Sequence, residues 1–365
     1  MNLLGEEIAA LIRAEGPLPV SRYMGLCLGH PRHGYYRTRD PFGAAGDFTT
    51  APEISQIFGE LIGLWAAHLW QAMGAPAKVR LVELGPGRGT LMADMLRAAH
   101  VLPAFRAAIE VHLVETSPVL RAAQARVLDG IVAHWHADLA GALDGPAIVI
   151  ANEFLDALPV DQFVRTDEGW CERLVGLGTG GELAWGLGAP VSRPAGTTAV
   201  TGAVYEHPQA ALDIVASVSR HLAQAGGAAL FIDYGSDESG IGDTLQAMRA
   251  HGFVDPLAEP GEADLTVHVD FARMGRAALE AGAATHGPAT QREFLLRLGL
   301  AERAEALARR APEAQRETIL TGAERLVAQG RTAMGDLFKV LALSHPDLAM
   351  LPGFDRHHLP EQPSR

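Results

Sequence analysis

The stretch that most constrains this chain is a short apolar run, VRLVEL, which ends at Leu84 and passes directly into Gly85, Pro86, Gly87, Arg88, Gly89 and Thr90. A run of β-formers that breaks into glycines and resumes as TLMADMLRAA is a strand, a tight turn and a helix in succession. Glycines allow the backbone to approach a ligand at such a turn, and the helix start offers unpaired N–H groups to an anionic part of it. The alternation then repeats. IEVHLVE (109–115), IVAHWHAD (131–138), AIVIANE (147–153) and AALFIDYG (228–235) are apolar runs, and Ala- and Leu-rich segments such as SPVLRAAQARVL and PQAALDIVASVSRHLAQAGG lie between them. Strands that alternate with helices need crossover connections, so the pattern predicts an α/β fold with a parallel, doubly wound sheet.

Spacing inside the turn separates two ligand classes. A dinucleotide fingerprint needs a glycine three residues after Gly87, where Thr90 stands, and Gly89 comes one residue early. The pattern is instead Glu83-x-Gly85-x-Gly87-x-Gly89. The second strand ends in Glu115, thirty residues after Gly85, where a carboxylate can accept hydrogen bonds from both ribose hydroxyls. The third ends in Asp138, placed for an adenine amino group. A glycine loop with acids after successive strands is the footprint of S-adenosylmethionine (SAM) in a class I, Rossmann-like methyltransferase fold. A ligand-free turn, with Glu115 and Asp138 as solvated strand ends, is the plainer alternative, and it gives no reason for the three features to occur in this order.

In such sheets ligands bind beyond the carboxyl ends of the strands, so the residues after the fourth strand face the chemistry. Here they are Asn152, Glu153, Phe154, Leu155 and Asp156. The N/D-P-P-Y/F tetrapeptide of base and glutamine N-methyltransferases is absent, and two carboxylates stand three residues apart instead. A guanidinium is a poor nucleophile because its charge is delocalised and its pKa exceeds about 12. Paired carboxylates hold its fork, draw the charge away from the attacking nitrogen and help remove the released proton. Glu153 and Asp156 are therefore candidates for gripping an arginine, with Asn152 on the cofactor side. The competing assignment has Asp156 capping a helix before Ala157. Later, DLTVHVDFA (264–272) alternates strictly, with Leu265, Val267, Val269 and Phe271 on one face and Thr266, His268 and Asp270 on the other. His268 with Asp270 is a candidate proton relay, and a hydrogen-bonded structural histidine is the alternative. His134 and His136 share a strand face without a third ligand at metal spacing, so no metal is expected.

Before the first strand, Thr50 and Glu53 have the spacing of a capping box, and Ile54, Ile57, Phe58, Leu61, Ile62, Trp65 and Leu69 recur at helical intervals. The resulting division is 1–77 as an N-terminal extension with a loop and helix, 78–165 as the first part of the core and 166–207 as an insertion. The remainder divides into 208–285 as the second part of the core, 286–345 as a helical region and 346–365 as a tail. The 43 acidic residues outnumber the 30 basic ones, for a net charge of −13, which argues against a phosphate-binding surface. Glu6 and Glu7 precede any base, and no apolar run reaches about 18 residues, so neither targeting nor membrane insertion is expected. Two cysteines without CxxC spacing point to a reducing, cytoplasmic setting.

HGYY (33–36), GDFTTAPEISQIFGELIG (46–63), LVELGPGRGTL (81–91), ANEFLDALPVDQF (151–163), ADLTVHVDF (263–271) and MGDLFKVL (334–341) together resemble the MidA-like family of SAM-dependent methyltransferases over nearly the whole chain. Mitochondrial members of that family assist assembly of respiratory complex I. The resemblance implies a seven-stranded methyltransferase core and symmetric dimethylation of arginine in a protein, such as a complex I core subunit. It also implies that the segment from Gly46 to Gln56 closes over the cofactor, which adds Gly46, Asp47, Thr49 and Pro52 to the cofactor-binding candidates. Asp156 is shorter than the second glutamate that arginine methyltransferases usually carry, and their two acids lie on a wider-spaced hairpin. Two further readings stay open: an assembly chaperone that holds SAM without turnover, and a methyltransferase of small molecules. The sequence leaves the oligomeric state open as well.

Overall fold

The computed structural model describes residues 1–39, 41, 43, 49–192 and 199–354. Helix α1 (Leu3–Glu15), strand β1 (Leu18–Pro19), α2 (Val20–Gly29) and α3 (Tyr35–Thr38) come first. The short turn α4 (Ala51–Ile54) precedes α5 (Gln56–Ala72). The alternation foreseen around the glycine turn is then realised as β2 (Val79–Leu84), α6 (Thr90–Ala98), α7 (Pro103–Ala108), β3 (Ile109–Val114), α8 (Pro118–Val127), β4 (Ala133–His136), α9 (Leu139–Ala142) and β5 (Ala147–Asn152). Hairpin strands follow as β6 (Asp161–Thr166), β7 (Gly169–Leu177), β8 (Leu183–Val191) and β9 (Val204–His207), and then α10 (Gln209–Ala225) and β10 (Gly227–Ser236). The rest comprises β11 (Gln246–Arg249), β12 (Gly252–Val254), β13 (Asp264–Thr266), β14 (Val269–Asp270), α11 (Phe271–Glu280), β15 (Ala284–Thr290), α12 (Gln291–Arg297), α13 (Leu300–Arg310), α14 (Glu313–Leu326) and β16 (Phe338–Ser344).

Contacts divide the chain into two units. The sheet unit takes Thr49–Leu155, Ile214–Glu238 and Val269–Arg365. Its main sheet has the order β15-β16-β10-β5-β2-β3-β4. Strands β4, β3, β2, β5 and β10 run parallel, and β16 lies antiparallel between β10 and β15. The strand order reverses between β2 and β5, the place where an open α/β sheet leaves a crevice. Val79, Leu81, Ile148, Ile150, Leu230 and Ile232 line one face of this sheet and pack with Phe58, Trp65, Met92 and Phe294 from the helices.

The hairpin unit takes Met1–Phe48, Asp156–Asp213 and Ser239–His268. It holds the antiparallel strands β6 to β9 with β1, and the small sheet β12-β11-β13. Its own core gathers Leu4, Ile8, Val20, Tyr23, Met24, Tyr35, Val175 and Leu265.

Three details correct the sequence expectations. Phe338–Ser344 is a strand, not a continuation of the helical region: inserted between two strands it is buried on both faces, and a doubly buried strand has the same continuous apolar run as a buried helix. Likewise, Ala284–Thr290 is a strand. The alternating DLTVHVDFA is two short strands, interrupted at Val267 and His268, and Phe271 already begins α11. Its apolar set, Leu265, Val267, Val269 and Phe271, is nonetheless buried.

Candidate functional site

Within the sheet unit the glycine turn has the backbone its composition anticipates. Gly85, Gly87 and Gly89 take φ of +61°, +53° and +87°, a region in which side chains are strained. A Cβ at Gly85 would lie 2.8 Å from the Phe154 ring, so glycine is needed there for space as well as for conformation. Gly89 caps α6 in the left-handed conformation. Glu83 lies at the end of β2, 3% exposed, and burial pushes its carboxyl well above the usual range, partly offset by the Met92 backbone N–H.

A residue outside the sequence motif ties the turn together. Gln124 on α8, fully buried, donates from Nε2 to the Gly87 carbonyl at 2.8 Å and to Glu115 Oε2 at 3.3 Å, and its Oε1 accepts from Trp135 Nε1 at 2.8 Å. Glu115 stands at the end of β3, where its Oε1 accepts the Ser117 N–H at 2.7 Å. Burial raises its pKa, and the N–H groups of Ser117 and Thr116 oppose the rise. Asp138, at the end of β4, is exposed and caps α9 by accepting the Gly141 N–H at 3.0 Å. His134 and His136 share their strand region with His112 of β3, whose Nδ1 lies 2.9 Å from His136 Nε2. Among the described residues no group of three or more His, Cys, Asp or Glu is disposed to hold a metal ion.

The segment expected to cover the cofactor lies partly outside the described residues, and Gly46 and Asp47 fall there. Thr49 is half-buried, and Pro52 is buried in the first turn of α4. The capping box anticipated at Thr50 and Glu53 does not form: Thr50 makes no side-chain cap bond among the described residues. Glu53 is drawn elsewhere. Its Oε1 accepts from Thr90 Oγ1 at 2.6 Å, and its Oε2 lies 3.6 Å from Arg88, so the carboxylate joins α4 to the glycine turn. The helix also breaks at Ser55, which is extended and whose hydroxyl accepts the Ile57 N–H to start α5 afresh.

Across the switch point, β5 ends in Asn152 and Glu153 follows it. Glu153 has φ of +50°, unusual for a residue other than glycine, and strain of this kind gathers at functional positions. Its Oε1 accepts the Ala51 N–H at 3.2 Å and Asn152 Nδ2 at 3.0 Å. Another residue missed by sequence reasoning, Asp233 of β10, accepts the N–H groups of Phe154 and Leu155 at 3.1 and 2.9 Å.

Asp156 belongs to the hairpin unit and is 5% exposed; its carbonyl accepts the Val267 N–H at 3.0 Å. There Tyr36, of the HGYY string, donates to Asp264 Oδ1 at 2.8 Å. Burial, then Asp264 and Asp156, hold the Tyr36 hydroxyl well above its usual pKa. His268 is exposed as a residue and its N–H donates to Thr244 Oγ1 at 2.9 Å, while partial desolvation of its ring lowers its pKa. Asp270, by contrast, caps α11 by accepting the Arg273 N–H at 2.8 Å, a structural role that the relay expectation did not include.

The described residues fit a SAM site. Two buried oxygens, Glu83 Oε2 and Asn152 Oδ1, find no hydrogen-bond partner among the described residues, and buried polar atoms are seldom left so. Both belong to paired strands that end at the switch point, next to the glycine turn.

Known proteins share this sequence and this fold. A family model for S-adenosyl-L-methionine-dependent methyltransferases matches residues 61–289, more than half of the chain. The chain is 38% identical to the protein arginine methyltransferase NDUFAF7 homolog, mitochondrial, of Drosophila melanogaster, across 99% of this chain and 87% of the relative. With protein arginine methyltransferase NDUFAF7, mitochondrial, of Homo sapiens it shares 37% identity across 91% of this chain and 81% of the relative. A Burkholderia thailandensis protein crystallised with S-adenosyl-homocysteine bound has the same fold, with a TM-score of 0.84 at 30% identity over 98% of this chain and 96% of that one.

Proposed function

Because the chain belongs to the MidA-like family of S-adenosyl-L-methionine-dependent methyltransferases, we propose that its methyl acceptor is an arginine side chain of a partner protein. The single observation that carries the reading is Glu153: a carboxylate in a left-handed backbone, at the end of the strand beside the glycine turn. SAM, when held by Glu83, the glycine turn, Glu115, Asn152 and the segment at Thr49 and Pro52, supplies an electrophilic methyl group on a sulfonium. The chain's own residues do the rest. Glu153 accepts N–H groups of the guanidinium and concentrates positive charge at the nitrogens it binds, which leaves electron density on the nitrogen that attacks. A carboxylate there also takes up the proton released after transfer. The bonds from Ala51 and Asn152 fix one of its oxygens and so orient the group. Asp156 remains the second carboxylate on the sequence argument, and His268 a proton carrier on the same ground.

The names of the relatives support an arginine acceptor. A net charge of −13 favours a basic segment of the partner, and the family resemblance makes a complex I core subunit the first acceptor to try. A cytoplasmic setting belongs to the proposal too, supported by two free, buried cysteines, Cys27 and Cys171. Among the described residues no helix is long and apolar enough to cross a membrane.

The test is incubation with methyl-labelled SAM and host lysate, followed by mass spectrometry of arginines in any labelled band. A labelled protein carrying symmetric dimethylarginine is the expected result, and Glu153→Gln should abolish it while cofactor affinity is kept. Label confined to small metabolites, or cofactor binding with no transfer at all, would overturn the proposal in favour of a small-molecule enzyme or a chaperone.

A further inference from the structure

We infer that Asp233 is a positioning residue for methyl transfer, which acts by fixing the backbone that carries Glu153. The inference rests on the role given to Glu153 above. Strands β5 and β10 pair in parallel as far as Asn152 and Ile232, and there the ladder stops because Glu153 turns into the left-handed region. The three amides that follow are not left to solvent. Glu153 N–H donates to the Ile232 carbonyl at 2.9 Å, and the N–H groups of Phe154 and Leu155 both reach Asp233 Oδ2. The other oxygen, Oδ1, accepts the Tyr234 N–H at 3.0 Å.

One carboxylate, 1% exposed, therefore stands in for the strand partner that the turning chain has lost. Positive φ also occurs at Ala75, Ala250, His251 and Glu259, all exposed, whereas at Glu153 the surroundings fix it. Here they do so from two directions: Asp233 holds the amides of residues 154 and 155, and the Phe154 ring lies against Gly85 of the glycine turn. An apolar residue at 233 would take the acceptor from three amides, two of them in the turning loop, and the chain would relax towards an ordinary conformation, carrying the Glu153 carboxylate with it. With both oxygens on backbone N–H groups and almost no exposure, Asp233 acts through Glu153 and does not touch the acceptor.

The experiment compares Asp233→Ala, Asp233→Asn and a stability control, Leu300→Ala, which opens a cavity in the same core without touching this loop. Three quantities are read in the full chain: hydrogen exchange of the Phe154 and Leu155 amides, S-adenosyl-homocysteine affinity by calorimetry, and the rate of label transfer from SAM to lysate protein at varied SAM. In Asp233→Ala we expect exchange to quicken at least about tenfold and the maximal rate to fall by a similar factor, with cofactor affinity and the KM for SAM within about twofold of the parent. Asp233→Asn, which keeps an acceptor oxygen, should recover part of both, and Leu300→Ala should change neither. Unchanged exchange in Asp233→Ala overturns the inference, as does quickened exchange with an unaltered maximal rate while Glu153→Gln is inactive. Full activity of Glu153→Gln is a different result, since it removes the role of Glu153 itself.

Discussion

The two units bury polar groups in different ways. In the sheet unit the buried acids and amides near the site are bonded largely to backbone: Gln124 to the Gly87 carbonyl, Glu115 to Ser117 N–H, Asp233 to three N–H groups. In the hairpin unit side chains more often meet side chains: Tyr36 with Asp264, Gln162 with Glu206 and Asp243, Arg173 with Gln162 and Asp243. A site made of backbone is set by where turns fall, and a small ligand with fixed chemistry can rely on it. A network of side chains can be rewritten residue by residue while the strands stay in place. The contrast teaches that the candidate cofactor site of the sheet unit leans on backbone positions, whereas the hairpin unit is tied by pairs of side chains.

The most severe way to break that contrast is Gly85→Val. It combines a side chain at positive φ with a clash against Phe154, so S-adenosyl-homocysteine affinity should fall at least about 100-fold, or about 3 kcal/mol, while the hairpin unit unfolds as before. Calorimetry showing near-native affinity would mean that the turn does not carry the cofactor.

Alkali should discriminate next. In the hairpin unit burial pushes Cys27 from 9.0 up to about 12, and raises Tyr23 and Tyr36 as well. Each of these folded groups holds its proton more tightly than the unfolded chain does, so the stability they contribute is complete below about pH 9 and is lost as pH rises. Cys27 alone should cost about 2–3 kcal/mol by pH 11, read as early loss of hairpin-unit amide protection, and Cys27→Ala should remove that share of the slope. Equal loss of protection in both units would erase the distinction.

Tyr36→Phe takes the donor from Asp264, and urea unfolding should show about 1–3 kcal/mol lost, confined to the hairpin unit. The smallest effect concerns His286 in the sheet unit. Burial lowers it from 6.5 to about 4, so the unfolded chain takes its proton first, and the stability it lends above pH 6.5 drains away as pH falls towards 4. His286→Gln should flatten the dependence between pH 7 and pH 5 by about 1–2 kcal/mol, and an unchanged slope would assign the dependence to other groups.

What could be read in the chain follows the same division. The glycine turn, the five parallel strands and Glu153 at the end of the fourth are local patterns, each complete within a few residues. Gln124 and Asp233 escaped because their partners at Gly87 and Phe154 lie 37 and 79 residues away. Glu53 was misassigned for the same reason: an acid three residues after a threonine has the spacing of a cap, and nothing local reveals that Thr90 will draw it off. The stretch 166–207 stood out as an insertion, but the Tyr36 and Asp264 pair spans 228 residues and leaves no periodic trace.

The antiparallel strand from Phe338 to Ser344 has an effect on how the molecule is made. It is the last strand of the main sheet to leave the ribosome, yet it fills a gap between two neighbours synthesised earlier. Until it arrives, the edge of the nascent sheet offers bare amides and carbonyls to any passing strand. A nonsense codon shortly before Phe338 would spare every residue assigned to chemistry and still yield a sticky, unfinished sheet, with β10 and β15 left without the strand that joins them.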